Sequence, residues 1–372
     1  MISTIFDIHD ILIKKDLPYA LYRLPGEKEF SLIFQKNNEI QNIEIINIEK
    51  HTGFVIASFD SAKTGTARLI APDFILNNNS DLTEAKNFLT SLPDSNNHTF
   101  NDNFIASKSS YLNTATYLIN KLVDGELQKV VLSRVIHKQL HNKLNLSSLL
   151  MMVAQKYDHA FINLVHLPNE GTWFGASPEL LFKIVDDNVY TDALAGTKLI
   201  IDDNEPKWTF KEKEEQYLVT QFIESLLSEL GITNFEKIGP ITKTAGNVAH
   251  LQTKFKIPLS SLIDKKGKLI AGLHPTPAVC GLPKADSYLL IQRAEQHERR
   301  YYTGFLGPWN ITASESENPE SMLFVNLRCA EICKDKVNIY VGGGLTSSSD
   351  PEDEFQETVH KSNTLLSIVE NL

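Results

Sequence analysis

Two short stretches of this chain place glutamates three residues apart. In "PEDEFQETVHK" (351–361) they are Glu354 and Glu357; in "KWTFKEKEEQYLVTQFIESLLSEL" (207–230) they are Glu212 and Glu215. At the angular step of a helix, Glu354, Glu357 and Lys361 share a stripe that continues through Leu365 and Ile368. Glu212 and Glu215 share one that continues through Val219, Phe222, Leu226 and Leu230. A face that opens acidic and turns apolar points at the protein interior. Burying ionised carboxylates without a partner is costly, and Lys361 alone cannot neutralise four of them. A hard divalent ion such as Mg²⁺, which takes carboxylate oxygens, water and a bound anion, answers that cost. The competing reading is structural: acids are favoured in a first helical turn by the macrodipole. Asp350 as cap and Pro351 in the first turn mark such a start.

Other groups have chemistry of their own. In "KVVLSR" (129–134) strand alternation puts Lys129, Val131 and Ser133 on one face, and an amine desolvated by apolar neighbours becomes a candidate general base. An edge-strand lysine reads the same way. Glu179, in "FGASPELLF", lies between apolar runs, where a carboxyl held protonated can serve as a general acid, or simply hydrogen-bond to local backbone. The triplet Gly342, Gly343 and Gly344 in "YVGGGLT" is expected at a strand end, as a loop whose N–H groups approach an anion. It fits neither the dinucleotide nor the Walker spacing. Arg328, in a strand before that loop, can clamp a carboxylate bidentately; His274, in the turn-like "HPTPAVCG", can donate to a ligand oxygen. Each also has a plain reading, as a strand-surface arginine and a satisfied loop histidine.

These groups need elements to hold them. Runs such as "EFSLIFQ", "EIQNIEIINIE", "GFVIASF", "AFINLVHL", "TWFGAS", "ELLFKIVDDNVYTDAL", "MLFVNLRCAEIC" and "KVNIYVGGG" read as strands. Helices are expected near 108–124, 147–156, 207–230, 284–300 and 351–371, and surface loops at 77–81 and 94–102. The strands come in hairpin-like groups without regular βαβ alternation. The expected class is therefore α+β: a single large domain with two large, mainly antiparallel sheets and helices packed outside. Residues 1–104 are expected to contribute strands to the same fold as 105–372, which holds the candidate groups above. The 372 residues are 42% hydrophobic and 22% charged, ordinary for a soluble protein, and the net charge of −10 argues against general nucleic-acid binding. No apolar run approaches membrane-spanning length, the N-terminus is unlike a secretory signal, and the three cysteines suggest neither disulfides nor zinc. A cytoplasmic setting is expected.

The strings "KVVLSR", "FGASPELL", "ALAGT" (193–197), "HLQT" (250–253), "HPTPAVCG", "RRYYTGFLG" (299–307), "LRCA" (327–330), "GGGLTSSSDPEDEFQETVHK" and the "KEKEEQYLV" helix follow one another in order. Together they resemble the chorismate-utilising enzymes, the family of anthranilate, aminodeoxychorismate, isochorismate and salicylate synthases. The resemblance runs from about residue 105 to the C-terminus. It implies that Lys129 activates water for addition at C2 of chorismate and that Glu179 protonates the departing C4 hydroxyl, giving isochorismate. It implies Mg²⁺ held directly by Glu215 and Glu357, with Glu212 and Glu354 acting through water. Arg328 and the backbone from Gly342 to Gly344 would hold the enolpyruvyl carboxylate, Lys361 would neutralise charge near the metal, and His274, Thr197 and Tyr302 would line the ring pocket. Lys129 is present and Ala195 stands where the aminodeoxychorismate branch carries lysine, so an isochorismate synthase is expected, with no glutaminase subunit and as a monomer or weak homodimer. Ala278 stands where the salicylate branch usually has Thr. Gln216 replaces a usual His, and Phe355 a common Trp. The chemistry is shared by menaquinone, siderophore and salicylate synthesis.

Overall fold

In the computed structural model, residues 4–95, 105–140, 144–200, 206–245, 248–312 and 320–370 are described. Their strands form two nine-stranded sheets. The first runs, in spatial order, Gly281–Leu282, Lys129–Gln139, Lys336–Leu345, Cys329–Cys333, Gly171–Ser177, Phe161–Leu167, Tyr19–Arg23, Ser31–Phe34 and Phe74–Leu76. The second runs Glu236–Ala245, Val248–Pro258, Asn188–Leu199, Leu180–Val185, Ser321–Val325, Phe305–Trp309, Gly53–Ala57, Thr66–Ile70 and Gln41–Glu44. Neighbouring strands pair antiparallel. This is the expected α+β architecture.

Between the sheets lies an aromatic core that draws Tyr22, Val165, Trp173 and Tyr340 from the first sheet and Phe54, Ile56, Leu306 and Phe324 from the second. Strands buried on both faces read as continuous apolar runs, which is why "AFINLVHL" and "GFVIASF" lack alternation. Outside the first sheet, Ile8, Leu89, Val153, Leu365 and Ile368 of four helices cover Ile339 and Val341. Outside the second, Val219, Ile223 and Leu227 of the helix Phe210–Glu229 and Leu269 and Leu273 of Lys266–Leu273 cover Ala193 and Phe255. Among the described residues no helix is long and apolar enough to cross a membrane.

Several elements differ from the sequence reading. "EIQNIEIINIE" forms only a short strand, Gln41–Glu44, and then a 3-10 helix, Ile45–Lys50. The helix expected over 284–300 ends at Ala294. From residue 96 on, the loop expected at 94–102 lies outside the described residues. "MLFVNLRCAEIC" is two strands, Ser321–Val325 in the second sheet and Cys329–Cys333 in the first. Arg328 therefore sits at a crossover between sheets and not in a strand, with left-handed backbone at φ 48°, a conformation that costs a non-glycine residue about 1 kcal/mol.

The glycine triplet is also not a loop. Gly342, Gly343 and Gly344 pair with Ser133, Leu132 and Val131 inside the long strand Lys336–Leu345. That strand pairs with Cys329–Cys333 only from Lys336 to Ile339.

Candidate active site

One cavity gathers most of the chemistry-bearing side chains. Its walls include Lys129, Glu179, Glu212, Glu215, Tyr302, Arg328, Gly342, Gly344, Glu357 and Lys361. They come from both sheets, from the crossover at Arg328 and from the helices Phe210–Glu229 and Pro351–Val369.

Lys129 opens the strand Lys129–Gln139 and is 3% exposed. Its Nζ lies 3.7 Å from Glu215 Oε2. A Cβ on Gly344 would stand 2.9 Å from Lys129 Cε and 3.4 Å from Nζ, and one on Gly342 would stand 2.8 Å from the Tyr302 hydroxyl. The glycines thus make room for working side chains on the cavity face. Gly343 points to the opposite face, where a Cβ would meet Glu354 Oε2 at 3.3 Å.

Glu179 follows Pro178 at the turn between Gly171–Ser177 and Leu180–Val185 and is 5% exposed. Burial pushes its carboxyl up to about 7, against the smaller opposing pull of the Thr276 hydrogen bond and the Lys129 charge. Thr276 Oγ1 lies 3.4 Å from Glu179 Oε1. The Ser177 hydroxyl donates to Val325 O at 2.5 Å and receives the Glu179 N–H at 3.3 Å, which fixes the turn between the sheets. This carboxyl can hold a proton near neutrality.

The two acidic helices divide their glutamates differently. Thr209 and Glu212 form a capping box, with Thr209 N donating to Glu212 Oε2 at 2.7 Å. Lys198 Nζ adds an ion pair at 3.3 Å. Partial burial raises the Glu212 pKa, but the Thr209 hydrogen bonds and Lys198 outweigh it and hold the group below its usual range. Glu212 is thus an N-terminal cap and a cavity wall at once. Gly196, at φ +68° on the bulge between Ala195 and Thr197, lets that helix approach: a Cβ there would sit 2.9 Å from Glu212 Cβ. The buried residues of this helix include Gln216, Val219, Thr220, Ile223 and Leu227, while the expected stripe apart from Val219 is half-buried. Gln216 Nε2 donates to Ala193 O and to Thr253 Oγ1, both at 3.0 Å.

In Pro351–Val369 the Asp350 side chain caps the helix by accepting from Glu352 N at 2.9 Å and Asp353 N at 3.1 Å. Glu357 is half-buried and pairs with Lys361 Nζ at 2.6 Å; Lys361 also donates to Gly342 O at 3.0 Å. Arg328 Nη1 donates to Thr364 Oγ1 at 2.6 Å, and burial lowers its pKa.

Two expected site residues stand elsewhere, and a third is placed by its backbone alone. Glu354 is buried but does not line the cavity; it accepts from Ser349 Oγ at 2.6 Å beneath Gly343. His274 is buried away from the cavity, with Nε2 3.1 Å from Ser58 O and its ring edge-on to Phe305. Burial holds it neutral, with a pKa of about 3. It packs the loop; Ala278 and Val279 of the same segment, not His274, line the cavity. The Thr197 side chain lies outside the described residues; its backbone pairs with His250.

The sequence reading missed His250, Tyr340, Leu194 and Leu327, which also line the cavity. His250 Nδ1 lies 3.1 Å from Gly196 O, and burial, then Arg328, lower its pKa to about 4. The "HLQT" string marked its position without its role.

Residues 39–370 match the model of the chorismate binding enzyme family. The chain belongs to that family. As a chorismate binding enzyme it is 28% identical over 268 residues to the vibriobactin-specific isochorismate synthase of Vibrio cholerae, covering 70% of this chain and 66% of that protein. It is 29% identical over 283 residues to isochorismate synthase DhbC of Bacillus subtilis, covering 72% and 70%. Among solved structures it superposes on MenF, the menaquinone-specific isochorismate synthase of Escherichia coli, with a TM-score of 0.75 at 22% identity over 95% of this chain and 88% of that one. That last likeness establishes the fold.

Among the described residues no three His, Cys, Asp or Glu side chains gather into a ready metal cluster. The cavity carboxylates are instead drawn to lysines. Their chemistry still suits a hard cation: three oxygen-donor groups, Glu212, Glu215 and Glu357, open on one cavity.

Proposed function

We propose that this protein is an isochorismate synthase that converts chorismate to isochorismate with Mg²⁺ as cofactor. The observation that carries the reading is that Lys129 and Glu179 line the same cavity, with the Glu179 carboxyl raised to about 7. The Lys129 amine takes a proton from water as the water oxygen bonds to C2. The ring double bonds shift, the C4–O bond breaks, and Glu179 gives its proton to the departing hydroxyl. Hydroxide is too poor a leaving group to depart unprotonated, so both groups are needed. Atoms are conserved, and the product is an isomer.

Charge supports the metal. With Lys129 as the neutral base and Glu179 protonated, Arg328 and Lys361 face the three carboxylates Glu212, Glu215 and Glu357 around the cavity. A dianionic substrate would leave that site three charges negative. Magnesium held by Glu215 and Glu357 would supply the compensating charge beside the substrate's ring carboxylate. Arg328 and Lys361 would bind the second carboxylate, and Tyr302 and Val279, which line the same cavity, would pack the ring.

The test is product analysis with purified protein, chorismate and Mg²⁺. Isochorismate as the sole product is expected. Salicylate and pyruvate at the catalytic rate would replace this reading with a salicylate synthase, and an amino product formed only with ammonium would replace it with an ammonia-using enzyme. Chorismate bound but never consumed would mark a non-catalytic binder.

A further inference from the structure

Among the described residues, the strand that begins with Lys129 lacks a full neighbour on one side. Gly281–Leu282 pairs only with Val130 and Lys129, and Cys280 O accepts from Val131 N at 2.8 Å. Beyond that point the chain turns away, leaving the Val131 carbonyl and the Ser133 N–H at a buried edge. Two side chains fill the gap. Arg299 Nη2 donates to Val131 O at 2.7 Å, and Glu295 Oε1 accepts from Ser133 N at 2.7 Å and Ser133 Oγ at 2.8 Å. The two partners bind each other, with Arg299 Nη2 2.6 Å from Glu295 Oε1 and Nε 2.8 Å from Oε2. Their side chains are 2% and 3% exposed.

A backbone strand would offer the same donor and acceptor at this edge. The ion pair also reaches across to the cavity's other wall: Arg299 Nη1 donates to Val279 O at 2.8 Å. Val131 and Val279 both line the cavity. His297 Nε2 lies 2.9 Å from Ser133 Oγ and completes the cluster. A strictly structural ion pair could sit anywhere in the core; this one grips the backbone two and four residues beyond the candidate base.

We infer that the buried Arg299–Glu295 pair is a positioning device that stands in for a missing strand and sets where Lys129 and Val279 stand around the cavity. The inference rests on the reading of Lys129 as the base. Neither residue lines the cavity.

Glu295→Gln keeps the shape and one acceptor but loses the charge that holds Arg299. In the folded variant, amide exchange at Ser133 should run about tenfold faster. The kcat should fall about a hundredfold with KM within about threefold, as displacement of a base without loss of binding requires. Removing one charge of a buried pair can prevent folding, so the double variant Arg299→Met with Glu295→Met carries the test in that case, with the same exchange and kcat effects expected. A folded variant whose Ser133 exchange stays within about twofold of the parent overturns the inference, and so does faster exchange with unaltered kcat. If the parent protein makes no isochorismate, the functional reading falls, while the exchange measurement still decides whether the pair holds the strand.

Discussion

Gly344 and Lys129 occupy one volume: the hydrogen that replaces a side chain on Gly344 faces the terminal carbons of Lys129, and a methyl there would press on Cε at 2.9 Å. Gly344 pairs with Val131 across two strands of one sheet, so the lysine's reach is set by a neighbouring strand. Gly344→Ala should therefore act on the amine. The tip of a lysine can move aside, so the change should cost at most about 1 kcal/mol of stability. Turnover should fall about a hundredfold. Steady-state kinetics and thermal unfolding on the same preparation check both.

Lys129→Ala should lower kcat by a factor of about 10² to 10⁴, the usual worth of a general base, while chorismate binding survives through Arg328 and Lys361. Calorimetric titration with chorismate against a turnover assay separates the two. A variant with near-normal turnover would remove Lys129 from its role.

Glu179 titrates near 7 in the folded protein against about 4.5 when unfolded. Between those values the folded state holds the extra proton, so this group's contribution to stability is full below the unfolded value and is lost as pH rises toward 7. Glu179→Gln abolishes that dependence. The stability of the variant relative to the parent should rise between pH 4.5 and 7 by roughly 3 kcal/mol and then level off. Urea unfolding of both proteins at about pH 5 and about pH 8 reads the difference. Parent activity should decline above about pH 7 as the acid loses its proton, and the Gln variant should be unable to expel the C4 hydroxyl.

Glu357 and Glu354 should part company in a magnesium titration. Glu357→Ala, at the cavity, should raise the Mg²⁺ concentration for half-maximal activity by about tenfold or more. Glu354→Gln, on the far face beneath Gly343 and held by Ser349, should lower thermal stability and leave that midpoint nearly unchanged. Equal shifts in both would return Glu354 to the metal site.

The residue types and their spacing were enough to single out Lys129, Glu179 and the paired glutamates, most of which meet at one cavity, and to give the α+β class. Helical and strand periodicities are local, and so is Asp350 as a cap. What needed tertiary structure was the side each group faces. The glycine triplet reads as a loop until its pairing with Val131, Leu132 and Ser133 shows it inside a sheet. Arg328 reads as a strand residue until the chain is seen to change sheets there. Glu354 and Glu357 share a helical stripe, yet one carboxylate lies beneath Gly343 and the other lines the cavity. Local spacing sets the angle of a side chain about its own axis; only the packing of that axis against distant strands sets what the side chain meets.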